Sequence, residues 1–281
     1  MNLSAVIMAG GRGSRFGNPQ KCLAPICGIP LLFRVAGALA QVADGIYVAT
    51  TPRHGEVIKA AEKWGLQVIA APGLGYERDI LHVVQLAPVV VAACDIANLT
   101  PAHVEALLRE KTFTTALSQG EPVGLSYMPN TDLARWTSVE VGRLVDVDTA
   151  EDLAKAEGLC PAAYPLYVNP ERLTPHEEVL EERVYEVIRP IAVDYRSGVI
   201  LDGHHRHRFL KRARLPAPVL LFDYAVVDVN VDKSEVLDRA ARGVVYPPKT
   251  TWHTYRGVHI SEIPTVEVPV AELRRREAWI R

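Results

Sequence analysis

The sequence has no uninterrupted apolar run of the about 18 residues that a membrane-spanning helix requires. It also lacks a basic excess: 31 Lys and Arg stand against 33 Asp and Glu, a formal net charge of -2. Nucleic-acid binders usually carry a clear positive surplus, so no nucleic-acid partner is expected. Cysteine is scarce. Cys22, Cys27, Cys94 and Cys160 form neither a CxxC pair nor a zinc-ligand spacing. They are expected to pack as ordinary thiols in a reducing compartment, which points to the cytoplasm. The opening residues carry no basic stretch ahead of an apolar one, so no secretory signal is expected. Internal repeats and low-complexity segments are absent as well.

What is present suffices for two ordinary domains in 281 residues. Up to residue 160, short apolar runs alternate with amphipathic stretches. Strands are expected over residues 5–9, 45–49, 66–70 and 88–93, with helices over 31–40, 57–64, 101–109 and 149–157. Continuous β-branched runs alternating with helices predict an α/β domain whose parallel sheet is covered on both faces. A boundary is expected at residues 158–161, where a helical pattern ends in glycine and proline. Residues 161–281 read as a small α+β domain. They predict a hairpin over 190–195 and 198–201, a helix over 204–214, strands over 218–222 and 224–231, and a helix over 233–242.

The first strand runs directly into Gly10-Gly11-Arg12-Gly13-Ser14-Arg15. Glycines let backbone amides approach phosphates that a side chain would block. Gly10, Gly11 and Gly13 are therefore candidate nucleotide-binding positions, with Arg15 and Lys21 supplying positive charge. The loop is not a Walker A sequence and lacks dinucleotide register. Asp95 ends an apolar strand, the usual place for a carboxylate that holds Mg²⁺ at the edge of a parallel sheet. Asp146 and Asp148 alternate along what reads as a second short strand. Asp148 serves either as a further metal ligand or as the N-cap of the next helix.

Together Met8-Ala9-Gly10-Gly11, Gly13, Arg15, Gly75-Tyr76, Asp79, the segment from Asp95 to Leu99 and the segment from Asp148 to Leu153 resemble the nucleotidyltransferase superfamily that includes molybdenum-cofactor guanylyltransferases. Within it, the likeness is greatest to archaeal adenosylcobinamide-phosphate guanylyltransferases. The resemblance implies a nucleotidyltransferase domain over residues 1–160. It further implies transfer of GMP from GTP to a corrinoid phosphate, with magnesium offsetting charge on the departing pyrophosphate.

In the second half, Asp202-Gly203-His204-His205-Arg206 sits between a strand and a helix. Free amides and positive side chains there would make an anion-binding corner; alternatively Asp202 is a cap and the histidines are solvated. Pro175-His176-Glu177-Glu178 reads as a turn before a helix, offering Glu177 as a general base or as a first-turn acid complementing the helix dipole. Residues 247–253 bring Lys249, Thr250, Thr251 and His253 together in a stiff loop suited to a phosphate or carboxylate, or form a plain proline-rich connection.

These three motifs, in this order, resemble the ParB/sulfiredoxin-type fold and, within it, the archaeal free serine kinases. The resemblance implies that Glu177 takes the proton of a free amino acid's hydroxyl. Asp202, His204, His205 and Arg206 would serve the transferred phosphoryl and nucleotide phosphates, and residues 249–253 would hold phosphate or substrate. The implied partners are small molecules: free threonine or serine, with ATP or ADP as donor. Joined to the first half, threonine is favoured, because its phosphate ester leads to the linker of the same corrinoid cofactor. An archaeal source is implied by both likenesses. Sulfiredoxin chemistry is excluded, because no cysteine lies between Asp202 and Arg206. A DNA-binding ParB is the weaker class, as no helix-turn-helix segment follows.

Overall fold

The computed structural model describes residues 2–11, 13, 15–18 and 20–276. These divide into two units. One takes the chain up to Ile26 together with Pro30–Pro161; the other takes Cys27–Ile29 and the described residues from Ala162 onward.

The first unit is built on a seven-stranded sheet. Its strands are β1 (Ser4–Met8), β2 (Gly45–Thr50), β3 (Gln67–Ala70), β4 (Val89–Ala93), β5 (Phe113–Ser118), β6 (Glu121–Met128) and β7 (Trp136–Glu140), in spatial order β3-β2-β1-β4-β6-β5-β7. All neighbours pair in parallel except β6, which runs antiparallel to both β4 and β5. The fold is therefore α/β with a mostly parallel sheet. β1 lies between β2 and β4, with Val6 opposite Tyr47 on one side and Val91 on the other. That central place explains its unbroken apolar run: both faces are covered, so no polar alternation survives.

Among the described residues, five α-helices accompany the sheet: α1 (Leu31–Leu39), α2 (Gly55–Lys63), α3 (Tyr76–Val83), α4 (Pro101–Leu107) and α5 (Ala150–Leu159). Every residue of α1 is buried, including Arg34, whose guanidinium donates to the carbonyls of Ile26 and Pro161. Because β1 and β4 are parallel, the glycine loop after β1 and Asp95 after β4 emerge at the same edge of the sheet.

In the second unit a four-stranded sheet contains β8 (Leu166–Val168), β9 (Ile191–Asp194), β10 (Ile200–Asp202) and β11 (Ala217–Phe222), in the order β8-β11-β9-β10. α6 (His204–Ala213) joins β10 to β11. A three-stranded sheet is formed by β12 (Asp228–Val229), β13 (His253–Tyr255) and β14 (Val258–His259), with α7 (Lys233–Ala241) between β12 and β13. Gly28 belongs here: its carbonyl accepts the Asp223 amide at 2.8 Å.

Four sequence expectations are corrected. The strand expected over 224–231 shrinks to β12, because Asp223 turns the chain, its side chain accepting the Ala225 amide and its carbonyl the Val226 amide. No helix follows Glu177. There the backbone is extended beside Tyr246, with Tyr246 N donating to His176 and Glu178 N donating to Tyr246. The strand expected to carry both Asp146 and Asp148 is a single bridge between Ile96 and Asp146. Finally, the cysteines are not free thiols: Cys22 and Cys94 form a disulfide with their Cα atoms 5.6 Å apart, and none of the four is free. The reducing-compartment argument thereby loses its basis. Among the described residues, no helix is long and apolar enough to cross a membrane.

Candidate active site

At the shared edge of the first sheet, Asp95 lies just beyond β4 and Lys21 sits in a one-turn 3-10 helix, Lys21–Leu23. The Lys21 ammonium is 2.5 Å from Asp95 Oδ2 and 3.2 Å from Asp148 Oδ1, and it also donates to the Val147 carbonyl. Burial works against its charge, but Asp95 and then Asp148 outweigh burial and leave its pKa raised. Arg15 reaches Asp148 from solvent, 2.8 Å from Oδ2. An exposed pair of this kind contributes little to stability, about 0–1 kcal/mol.

Asp148 is not the cap of α5. Thr149 is, accepting the Asp152 amide in a reciprocal capping box. Asp148 is thus left to the cations. Asn98 brings this segment to Asp95: its side-chain carbonyl accepts Val145 N at 2.8 Å and its amide donates to Arg143 O at 2.9 Å. The neighbouring backbones add Ala97 N to Val145 O and Val147 N to Asp95 O. Asp146 is consequently held among like charges. Burial first, then the Asp95 and Asp148 carboxylates, push its pKa up to about 7 against the pull of Lys21.

Two hollows meet here. One, of about 290 Å³, is lined by Gly11, Gly13, Arg15, Lys21, Asp95 and Asp148. The other, of about 300 Å³, is lined by Gly10, Gly11, Gly75, Tyr76, Asp79 and Asp95. Gly10, Gly11, Gly13, Arg15, Lys21, Asp95 and Asp148 therefore each border one or both of these hollows, whereas Asp146 borders neither; Arg12 and Ser14 of the loop lie outside the described residues. Buried Asp79 accepts the Leu74 amide at 3.1 Å. Tyr76, partly buried, donates toward Ser126 and Val91, and burial pushes its pKa upward.

Sequence reasoning missed the support behind the loop. Thr50 Oγ1 donates to Ala9 O at 2.9 Å, and buried His54 places Nδ1 3.1 Å from Thr50 Oγ1 and 3.2 Å from Thr51 Oγ1. The same ring hydrogen-bonds the Gly11 backbone, and burial lowers its pKa. A histidine four residues after a strand-end threonine was the available signal.

In the second unit, the Glu177 carboxylate meets the 247–253 loop. Oε1 accepts Thr251 N and Thr251 Oγ1, both at 2.7 Å, and Oε2 accepts Lys249 N at 3.3 Å. His204 Nδ1 stands 4.0 Å from Oε2, and its Nε2 accepts the His176 amide at 3.3 Å. His176 Nε2 contacts Thr251 Oγ1 at 2.9 Å. Glu177, His204, Lys249 and Thr251 are thus brought together. The other predicted residues point to partners of their own. Arg206 pairs with Asp202 and donates to the carbonyls of Arg189 and Pro190. Asp202 does not cap α6; Gly203 does, at φ +111°, where a Cβ would press 3.0 Å from the Arg206 guanidinium. Thr250 Oγ1 donates to Pro247 O, and His205 Nδ1 lies 3.3 Å from Glu181 O. His253 is a core residue, its Nε2 3.1 Å from the Tyr224 hydroxyl, and burial drives its pKa down to about 3. A hollow of about 350 Å³ in this unit, beside Arg208, Phe209 and Arg212, contains none of the Glu177 cluster.

Among known proteins, the chain is 32% identical over 114 residues to an adenosylcobinamide-phosphate guanylyltransferase of Methanocaldococcus jannaschii, covering 38% of this chain and 58% of that one. It is 33% identical over 101 residues to a probable molybdenum cofactor guanylyltransferase of Nostoc, covering 35% and 48%. A ParB-like protein of Sulfolobus acidocaldarius is 40% identical over 75 residues, covering 23% and 38%. The matches thus span only 38% to 58% of these relatives. Residues 5–146, just over half of the chain, match the MobA-like NTP transferase domain, and with the glycine loop, Lys21 and Asp95 all inside that span the chain belongs to this family.

Proposed function

We propose that the first unit, the nucleotidyltransferase domain over residues 1–160, transfers GMP from GTP to a phosphorylated acceptor and releases pyrophosphate, the acceptor being adenosylcobinamide phosphate. The observation that carries this reading is the convergence of Lys21, Arg15, Asp95 and Asp148 on the hollow beside the glycine loop. In the reaction an acceptor phosphate oxygen attacks the α-phosphorus, and the bond to the bridging β-phosphate oxygen breaks. Lys21 and Arg15 sit where they would meet the charge on both sides of that bond. Loop amides at Gly11 and Gly13 would hold the phosphates, and His54 keeps the loop in place from behind.

The residues suit magnesium. Asp95 Oδ1 is buried without a hydrogen-bond partner, and the Lys21 ammonium lies between Asp95 and Asp148 where a cation belongs. Asp95 and Asp148 would hold the ion, which would offset charge on the departing pyrophosphate. The relatives' names favour guanine nucleotide and a corrinoid acceptor. The test is Asp95→Ala. Pyrophosphate release from GTP with cobinamide phosphate should vanish while amino-acid phosphorylation persists. A folded variant with unchanged release refutes the assignment.

A second reading concerns residues 161–281, taken as a ParB/sulfiredoxin-like amino-acid kinase domain that phosphorylates free L-threonine, with serine as the close alternative, from ATP or ADP. It is favoured by the meeting of Glu177 with Lys249, Thr251 and His204, and the ParB-like relative supports it. Phosphoryl transfer depends on positioning and charge neutralisation more than on nucleophile strength, which suits a carboxylate beside a lysine loop. One methyl separates the two amino acids, worth only about 1–3 kcal/mol of discrimination, so some leakage to serine is expected.

A further inference from the structure

Lys21 and Asp95 each stand next to a cysteine, and those two cysteines are bonded to each other across 72 residues of sequence. Both are buried, and both line the hollow that Lys21 and Asp95 share. The two ends of the bridge differ in how they are otherwise held. Cys94 continues β4, and its amide donates to Met8 O at the end of β1. The turn carrying Lys21 is bonded locally: Lys21 N donates to Asn18 O, Leu23 N to Gln20 O and Ala24 N to Lys21 O. None of these three bonds gives the turn a fixed point on the sheet. The disulfide supplies that fixed point, one residue from the ammonium, and its other end lies one residue from the carboxylate.

We propose that the Cys22–Cys94 disulfide is a positioning element of the transferase site, holding the cation of Lys21 at its working distance from Asp95. The proposal rests on the transferase reading of this unit. A phosphate-binding lysine and a metal-holding carboxylate act on the same triphosphate, so their separation decides whether both can reach it. Cysteine pairing that merely stabilised the fold could sit anywhere in the sheet; this one brackets the reacting groups. Reduction of this bridge by a dithiol breaks its S–S bond, leaves Cys22 and Cys94 as thiols and oxidises the dithiol to its cyclic disulfide. The turn then keeps its local hydrogen bonds, the Leu31 N to Ala24 O bond, the Lys21 bond to Val147 O and the ion pair, and substrate phosphates compete for the Lys21 ammonium.

The test uses the intact chain, oxidised and after dithiothreitol treatment, beside a Cys22→Ser/Cys94→Ser double variant. Thiols are counted after denaturation, pyrophosphate release from GTP with cobinamide phosphate is followed, and folding is checked by the thermal melt. Reduction and the double variant are each expected to lower kcat/KM about tenfold to a hundredfold, as for a misplaced phosphate-binding group, with the loss shared between kcat and the KM for GTP. Reoxidation should restore the reduced chain and leave the variant unchanged. Equal kcat and KM in both redox states overturns the proposal, and so does loss of the cooperative melt, which would make the bridge a support of the fold instead. If the oxidised chain releases no pyrophosphate, the transferase reading fails on its own. GTP affinity by calorimetry then decides the bridge separately: equal affinity in the two states overturns it, and weaker affinity after reduction supports it.

Discussion

Glu177 and Thr251 share one oxygen: Oε1 of the carboxylate accepts both the amide and the hydroxyl of the threonine, each at 2.7 Å. A substrate hydroxyl that hands its proton to Glu177 must take the place of the threonine hydroxyl on that oxygen. If Glu177 is the base, Glu177→Gln should lower amino-acid phosphorylation about 10²–10⁴-fold and leave guanylyl transfer unchanged. Exposed Glu178 is the control, and Glu178→Gln should be mild. Thr251→Val, which keeps the amide bond and removes the hydroxyl, separates base from anchor. Steady-state turnover that falls as far in Thr251→Val as in Glu177→Gln makes Glu177 a loop anchor and removes it from the chemistry.

Asp146 predicts how stability changes with pH. Its pKa is raised from 3.8 to about 7 by burial and by Asp95 and Asp148, so the folded chain binds its proton more tightly than the unfolded chain does. That contribution is fully present below the unfolded value and is lost as pH rises through about 7. Asp146→Asn removes the penalty. The variant should gain melting temperature over the parent at pH 8 and show a smaller difference at pH 5. A gain of equal size at both values, measured by thermal melts without magnesium, refutes the crowding argument.

The histidines of the second unit predict the opposite limb. His176, His204, His207 and His253 are buried, and burial, the largest influence on each ring, lowers all four pKa values, that of His253 to about 3. Their folded forms therefore bind protons less readily than the unfolded chain, whose histidines titrate near 6.5. Stability is present above about pH 6.5 and lost as pH falls below it. The melt should soften between pH 6.5 and 5, before most carboxylates titrate. His253→Asn should cost stability at pH 7, through loss of the Tyr224 bond, and the gap should narrow at pH 5. A melting temperature flat from pH 7 to pH 5 would count against buried neutral histidines.

Much of the first unit was legible because its central strands are buried on both faces and so read as unbroken apolar runs; β1 and β4 are the clearest cases. Strands β5, β6 and β7 were not read. Phe113–Ser118 alternates between partly and fully buried positions, and Trp136–Glu140 is half-exposed at the sheet's rim with Trp136 in solvent. Helix α3 also escaped, although Gly75 and Asp79 beside it were singled out. Glycine and acid types at the strand ends marked the positions of the transferase cluster, but what gathers Asp146 and Asp148 against Asp95 is the pair of Asn98 side-chain bonds, which spacing does not reveal. The cysteine bridge was hidden for the same reason. No local pattern announces a partner 72 residues away. In the second unit, the residue types around Glu177 were readable, whereas the burial of His253 in β13 and the pairing of Arg206 with Asp202 depend on tertiary packing.

The three residues Cys27–Ile29 have a consequence for inheritance. They fold with the second unit while being encoded ahead of most of the first. Gly28 stands at φ +78°, and a Cβ there would lie 3.0 Å from the Phe222 ring and 3.2 Å from Tyr255, so side chains in the interior of that unit close directly over its backbone. A gene cut once after residue 161 would deprive the Asp223 amide of its acceptor and uncover Phe222. The second unit is therefore not a cassette that recombination can lift out with a single break. Any lineage that separates the two halves has to rebuild that small wall from other residues.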